Sequence, residues 1–404
     1  MSTIEVNKIT PVSGGTTIQV GESGDTITVP SGATITNSGT ANNFTSYRPN
    51  AKPLIINGDM NVAQRDTSVT GITGDGYKLC DRWYEYLSSL GTYTFAQESQ
   101  SIHNPAGGAG FRQAFRIDCT TADASPSASD EFWFGMKFEG QDLQLIKKGS
   151  SNAEKLTLAF WVKSNKTGTG QVNFRDTDNG RMCSGTYTIS SADTWEHKII
   201  NIAADTSGAF TDDNAESLQI QWYLDSGSNY EGGAAPTAWE TDVATDRNAA
   251  GTLNIGDNTA NDWSITGVQL EIGEYTSSTL PPFQHESFAD NLDRCHRYYI
   301  SYGNVGTTQS GFPARAYSGS GLMWAVTLPK PLRASPTVTL TGTIRAFGSS
   351  NTHDSTSAFG VTSYANTNST IVMLQSTGFS GLSNDRSYNV MAINDTFYTL
   401  NAEL

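Results

Sequence analysis

The chain has 404 residues, more than one ordinary domain holds and enough for two or three at roughly 150 residues each. An apolar fraction of 37% excludes low-hydrophobicity disorder, while charged residues reach only 16% against about 25% in a typical domain. The net charge of −15 excludes a partner gripped through its phosphates, because that needs a basic stripe, and it disfavours an anionic membrane surface.

The opening Met1–Asn7 lacks the basic and apolar regions of a secretory signal. The densest apolar stretch, Leu156 to Val162, is too short to cross a bilayer. Cys80, Cys119, Cys183 and Cys295 form no CxxC pair and read as buried thiols of a chain made in a reducing cytoplasm. Within residues 1–42, Thr17-Ile-Gln-Val, Thr26-Ile-Thr-Val and Thr34-Ile-Thr-Asn recur, each followed by a Ser-Gly step. A short strand with a glycine corner is one rung of a β-stem. Such a rung buries too little to stand alone, so other copies of the chain are expected to complete it. Residues 43–53, with two prolines and no apolar period, read as a linker.

Residues 54–284 alternate with period two, which marks antiparallel strands with one buried face. Phe132, Phe134, Met136 and Phe138 share one face of their run, Leu156, Leu158, Phe160 and Val162 a second, and Leu218, Ile220, Trp222 and Leu224 a third. The expected fold is all-β, with this stretch an antiparallel jelly-roll sandwich. A short linking helix is expected within residues 285–300. Ser287 caps it, and Phe288, Leu292, Cys295 and Tyr299 fall on one stripe. Residues 301–404, where Leu322, Trp324, Val326 and Leu328 alternate, read as a second, C-terminal β-sandwich, taken as the distal, receptor-facing domain.

No catalytic spacing is present: neither a GxSxG elbow, an HExxH helix, a Walker loop nor a GxGxxG turn occurs. No catalytic residue is assigned and no cofactor is expected. Asp176-Thr-Asp-Asn-Gly180 reads as a hairpin turn rather than a calcium loop. Sugar binding requires an aromatic platform for the apolar face of a pyranose. Trp133, Trp161 and Tyr223, each opposite a filled apolar face, are the rings expected to supply it.

Pro53–Arg65, Cys80-Asp-Arg-Trp83, Trp263–Glu271, Ser287–Tyr299, Pro331–Val338 and Asn401-Ala-Glu-Leu404 resemble tail-fibre proteins of tailed bacteriophages. The middle stretch also resembles carbohydrate-binding jelly rolls. The resemblance implies a structural, non-enzymatic, homotrimeric virion appendage made in the host cytoplasm. Its N-terminus would dock on tail or nozzle and adaptor proteins, and its distal domains would bind a host surface glycan. It leaves open a head fibre or tail-nozzle appendage, a polysaccharide depolymerase tailspike, and a non-viral carbohydrate-binding adhesin. It also implies a structural calcium between the first and last jelly-roll strands, with Asp59 and Glu271 as ligands.

Overall fold

The computed structural model describes residues 52–303, 312–348, 352–355, 359–364 and 369–404; the repeats of residues 1–42 and nearly all of the 43–53 linker lie outside them. Residues 47–404 form one compact unit, and it is all-β. Its first sheet contains β1 (Ser68–Gly76), β2 (Tyr84–Ser99), β3 (Gln113–Thr121), β4 (Glu131–Glu139), β5 (Leu156–Ser164) and β6 (Gly168–Asp176). It continues with β7 (Arg181–Ile189), β8 (Glu196–Ile202), β9 (Glu216–Ser226), β10 (Glu240–Thr241) and β11 (Asp262–Ile272). Strand order along it is β10-β7-β6-β9-β4-β2-β3-β11-β5-β8, with β1 on β2, and all the pairings are antiparallel.

The sheet folds over itself because β2 serves both layers. Residues 84–88 of this strand pair with β4 and residues 92–99 with β3. The corner between them holds two left-handed residues, Ser89 (φ 58°) and Gly91 (φ 73°). A Cβ on Gly91 would lie 2.4 Å from the Thr121 carbonyl oxygen, so position 91 of the corner takes only glycine. The curl closes where Ile200 of β8 packs onto bare Gly185 of β7; a Cβ there would lie 2.2 Å from the Ile200 methyl. Between the layers lies one core. Phe134 contacts Trp83, Phe115, Trp222 and Trp263 at ring distances of 4.9, 4.8, 6.3 and 5.6 Å. All three apolar sets read from the sequence face it.

Helix α1 (Pro105–Gly108) is a single turn, and α2 (Phe288–Cys295) is the linking helix. Ser287 Oγ accepts from Asp290 N–H (3.1 Å) and donates to the Asp290 carboxylate (2.6 Å), as the capping pattern requires. The expected stripe is corrected at both ends. Phe288 is 60% exposed, and the helix stops at Cys295, so Tyr299 belongs to the next strand. The buried side is Asn291 and Cys295, and Cys295 packs with Ile56, Val62, Tyr298 and Leu404. The helix therefore finds its partners inside its own chain.

The second sheet holds β12 (Tyr299–Gly303), β13 (Phe312–Ser318), β14 (Gly321–Thr327), β15 (Thr337–Phe347), β16 (Thr352–Ser355), β17 (Phe359–Tyr364), β18 (Ile371–Ser376) and β19 (Ser387–Asn401). Its order is β16-β15-β19-β13-β14-β18-β17, with β12 on β19, and it carries a separate core with Leu322, Trp324, Val326 and Leu328.

A buried ionic knot joins the two sheets. Glu403 accepts from Arg65 (3.1 Å) and from Arg82. The Arg82 guanidinium lies 3.5 Å over the Tyr298 ring, and that of Arg65 3.7 Å over Tyr299. Gln64 donates to the Tyr299 carbonyl (3.0 Å), and Arg297 grips Glu139 with two bonds of 2.7 and 2.6 Å. Arg333 donates to the carbonyls of Asn214, Ala402 and Glu403, each at 2.8 Å. Burial pushes the Asp81 carboxyl up to about 6 against the pull of Arg65. Five of the six sequence segments that carry the family resemblance place residues in this knot.

Candidate functional site

The outer face of the layer built from β2, β4, β9, β6 and β7 is read from its register. One lateral row runs Tyr86, Trp133, Tyr223, Gln171, Thr186, and the next runs Tyr84, Gly135, Gln221, Asn173, Ser184. A third begins Lys137, Gln219, Arg175. The face is aromatic on β2 and β4 and carboxamide on β9 and β6. A bulge in β9 at Leu224 re-aims the strand beyond it, pairing Tyr223 with Trp133 but Asp225 with Phe132. Asp225 is thereby turned inward, and burial pushes its carboxyl up to about 7.

Trp133 and Tyr223 do lie on the outer face, as their alternation implies, and the register makes them neighbours. Their expected exposure is corrected: Trp133 is 4% exposed and Tyr223 1%. Tyr86 stacks on Trp133 at 5.6 Å with an interplanar angle of 7°, Tyr84 meets the same indole at 5.4 Å tilted by 40°, and Tyr77 meets Tyr84 at 5.1 Å. Tyr223 donates to Glu131. Trp161 is elsewhere, on β5 in the other layer, half-buried and stacked on His197 at 5.0 Å. The half-exposed rings of the first layer are Tyr77, Tyr84, Tyr86 and Tyr230, none of which was singled out from the sequence. The alternation of Tyr84 and Tyr86 was readable, but Glu85 between them broke the apolar pattern. Glu85 points inward, fully buried, with burial raising its carboxyl well above the usual range.

Residues 227–251 form a strap across the carboxamide half. Gln171 donates to the Asp246 carbonyl (2.7 Å) and accepts from Ala250 N–H (3.0 Å), and Asn173 donates to the Arg247 carbonyl (2.7 Å). Asp242 of the strap is held by Arg175 (2.8 and 2.6 Å) and by Arg247 (3.0 and 2.9 Å). Its carboxyl sits below the usual range, because these guanidinium bonds outweigh its burial. Tyr230 lies against Glu131, and burial together with that carboxylate pushes its hydroxyl up to about 12. The open part of the face is therefore an aromatic strip at the edge of the strap. Gln221 Oε1, buried beside it, has no partner among the described residues.

Asp59 and Glu271 do line one shallow pocket, with Asn57, Gln269, Glu286 and Asn291. Their expected role as calcium ligands does not fit this arrangement. Asp59 accepts from the amides of Asn61 (2.5 Å) and Asn291 (3.1 Å), and its carboxyl is raised by burial. Glu286 is engaged by Arg294 (2.6 Å). Among the described residues no cluster of three or more His, Cys, Asp or Glu side chains could hold a metal. The pocket is a hydrogen-bonded carboxylate site, and a cation would have to displace amide donors already aimed at Asp59.

No protein-family model matches the chain, and no curated protein matches it. Among solved structures it is similar to the enzymatically active domain of tailspike protein 4 of bacteriophage CBA120, at 12% identity and a TM-score of 0.26 over 47% of this chain. That match spans only 19% of the tailspike chain. The carbohydrate-binding module TmCBM61 in complex with β-1,4-galactotriose matches at 8% identity and a TM-score of 0.25, covering 55% of this chain and 99% of that one. The family 11 carbohydrate-binding module of cellulase Lic26A-Cel5E of Clostridium thermocellum matches at 9% and 0.25, covering 51% and 99%. Likeness this slight leaves the fold to rest on the strand order and register given above: an all-β chain of two antiparallel sheets, the first curled into a sandwich.

Proposed function

We propose that the chain is a non-enzymatic carbohydrate-binding protein, and that the aromatic strip Tyr84–Trp133–Tyr86 beside the strap is its contact surface. The observation that carries this reading is the face itself. The half-buried rings of Tyr84 and Tyr86, backed by the buried Trp133, offer apolar faces for the CH face of a sugar, and the exposed Asp75 carboxylate beside them suits its hydroxyls. Tyr84 donates to Asp75 (2.8 Å), which fixes the outermost ring. Trp161, stacked on His197, is a second and separate ring on the opposite layer. In the fuller form of the proposal, suggested by the sequence resemblance, the protein is a homotrimeric phage attachment fibre that binds a host surface glycan. Its location would be the virion, with residues 1–42 docking on tail or nozzle proteins.

The test is a glycan array probed with the full chain, followed by Tyr84→Ala and Tyr86→Ala. Each substitution is expected to weaken binding about tenfold, the equivalent of roughly 1.4 kcal/mol of stacking, while costing no more than about 1 kcal/mol of stability, so that the chain stays folded. An array with no binder refutes the carbohydrate reading, and steady release of reducing ends from a bound glycan refutes the non-enzymatic one. Sedimentation as a monomer at micromolar concentration refutes the trimer.

A further inference from the structure

We infer that this face captures the end of an uncharged glycan, one or two sugar units deep, rather than a stretch within a polymer. The inference rests on the carbohydrate reading above and adds how much of the sugar the site can take. Neighbouring strands lie about 4.8 Å apart, close to the length of one pyranose unit. A glycan laid along the row Tyr86, Trp133, Tyr223, Gln171 would therefore advance about one sugar per strand. The row is open at Tyr86 and again at Thr186, its far end, and closed between them. Tyr223 is 1% exposed and Gln171 0%, because the strap lies on them.

The strap is built as a wall. Its carbonyls at Asp246 and Arg247 take the amide donors of Gln171 and Asn173, the donors that a sugar further along the row would need. It is held by charge as well as by backbone, since Asp242 bridges Arg175 and Arg247. Its main chain is tied down where Asp242 N–H donates to the Gly180 carbonyl (2.9 Å) and Ser184 N–H to that of Pro236 (2.6 Å). At the foot of the wall, the Glu131 carboxylate is bonded by Tyr223 and Tyr230. A sugar stacked on Tyr86 thus meets protein where its next neighbour along the row would lie.

The charge of the open part selects against acidic sugars. Asp75 and Glu131 flank the rings. Two nearby cations are already engaged: Lys137 lies 4.1 Å over Tyr84 and pairs with Glu216 (3.3 Å), and Arg247 is held by Asp242. A uronic acid would bring a carboxylate to two carboxylates, with Lys78, whose Nζ lies beside Gly76, as the cation against them.

The experiment is titration calorimetry of the full chain with β-1,4-linked gluco-, xylo- and galacto-oligosaccharides of one to six units, alongside oligogalacturonates of the same lengths. For a neutral series that binds, affinity is expected to rise from one unit to two and then level off, changing less than twofold from two to six. The oligogalacturonates are expected to bind at least tenfold more weakly. Neutral binding that strengthens tenfold or more between two and six units overturns end capture while leaving the carbohydrate reading intact, as does tighter binding of the acidic series. Binding by none of the four series overturns this inference, and a silent array besides refutes the carbohydrate reading with it.

Discussion

Glu403→Ala would remove the centre of the knot between the two sheets. Its carboxylate bonds Arg65 with one oxygen and Arg82 with the other. The three side chains are only 3%, 9% and 2% exposed, so no water replaces the lost partner. Removing one member of a buried pair costs about 3–5 kcal/mol, because the remaining charge is left uncompensated in a poor dielectric. Two features offset part of that cost. Arg82 keeps its bond to the Lys137 carbonyl (2.6 Å) and its place over Tyr298, and Arg65 keeps Asp81 (3.4 Å) and the Tyr299 ring. A buried cation over an aromatic ring is worth about 2 kcal/mol, so the expected loss lies at the lower end, near 3 kcal/mol. Because the knot ties two separate cores together, urea unfolding followed by tryptophan fluorescence should lose its single transition and resolve two. The Arg82→Ala/Glu403→Ala double variant should be less destabilised than the sum of the singles, since the first deletion already removes the pairing. A loss under 1 kcal/mol with strictly additive singles would show that the knot is a solvated surface network and refute the reasoning.

Trp133→Ala is expected to cost about 3–5 kcal/mol, read from denaturant midpoints, whereas Tyr86→Ala at the half-exposed end of the same row should cost about 1 kcal/mol. The reverse order would mean that the indole, not the tyrosine, is the open ring. Gly91→Ala combines a left-handed backbone with a Cβ 2.4 Å from a carbonyl oxygen and should lose at least about 2 kcal/mol of stability, whereas the exposed Gly180→Ala (φ 60°, no atom within 4 Å of its Cβ) should lose only about 1 kcal/mol. For Asp225 the folded carboxyl is raised to about 7, so the unfolded chain gives up this proton first as pH rises. Its contribution to stability therefore falls between about pH 4 and pH 7 by at most about 4 kcal/mol. Asp225→Asn should flatten that part of the thermal stability profile, and an unchanged slope would show that Asp225 does not titrate there.

What the sequence determined by itself is local and periodic. Alternation placed Phe132, Phe134, Met136 and Phe138 on one side of a strand, and they line the core because a strand has only two faces and water selects between them. Ser287 followed by Asp290 announced a helix start, since both ends of that bond lie within one turn. Period two also assigned Trp133 and Tyr223 to the outer face, but it could not say what lies above them. That depended on Tyr84 and Tyr86, brought alongside by the β2–β4 pairing, and on the strap of residues 227–251, which has no periodic signal because polar bonds to Gln171 and Asn173 hold it. The stripe from Phe288 failed for the same reason: Ile56 and Leu404, more than a hundred residues away on either side, decide which side of α2 is covered. The ionic knot shows the limit most fully, since Arg65, Arg82 and Glu403 acquire their meaning only when two sheets bury them together. A charge is cheap in water and costly away from it, and how deeply a residue is buried is a property of the tertiary fold.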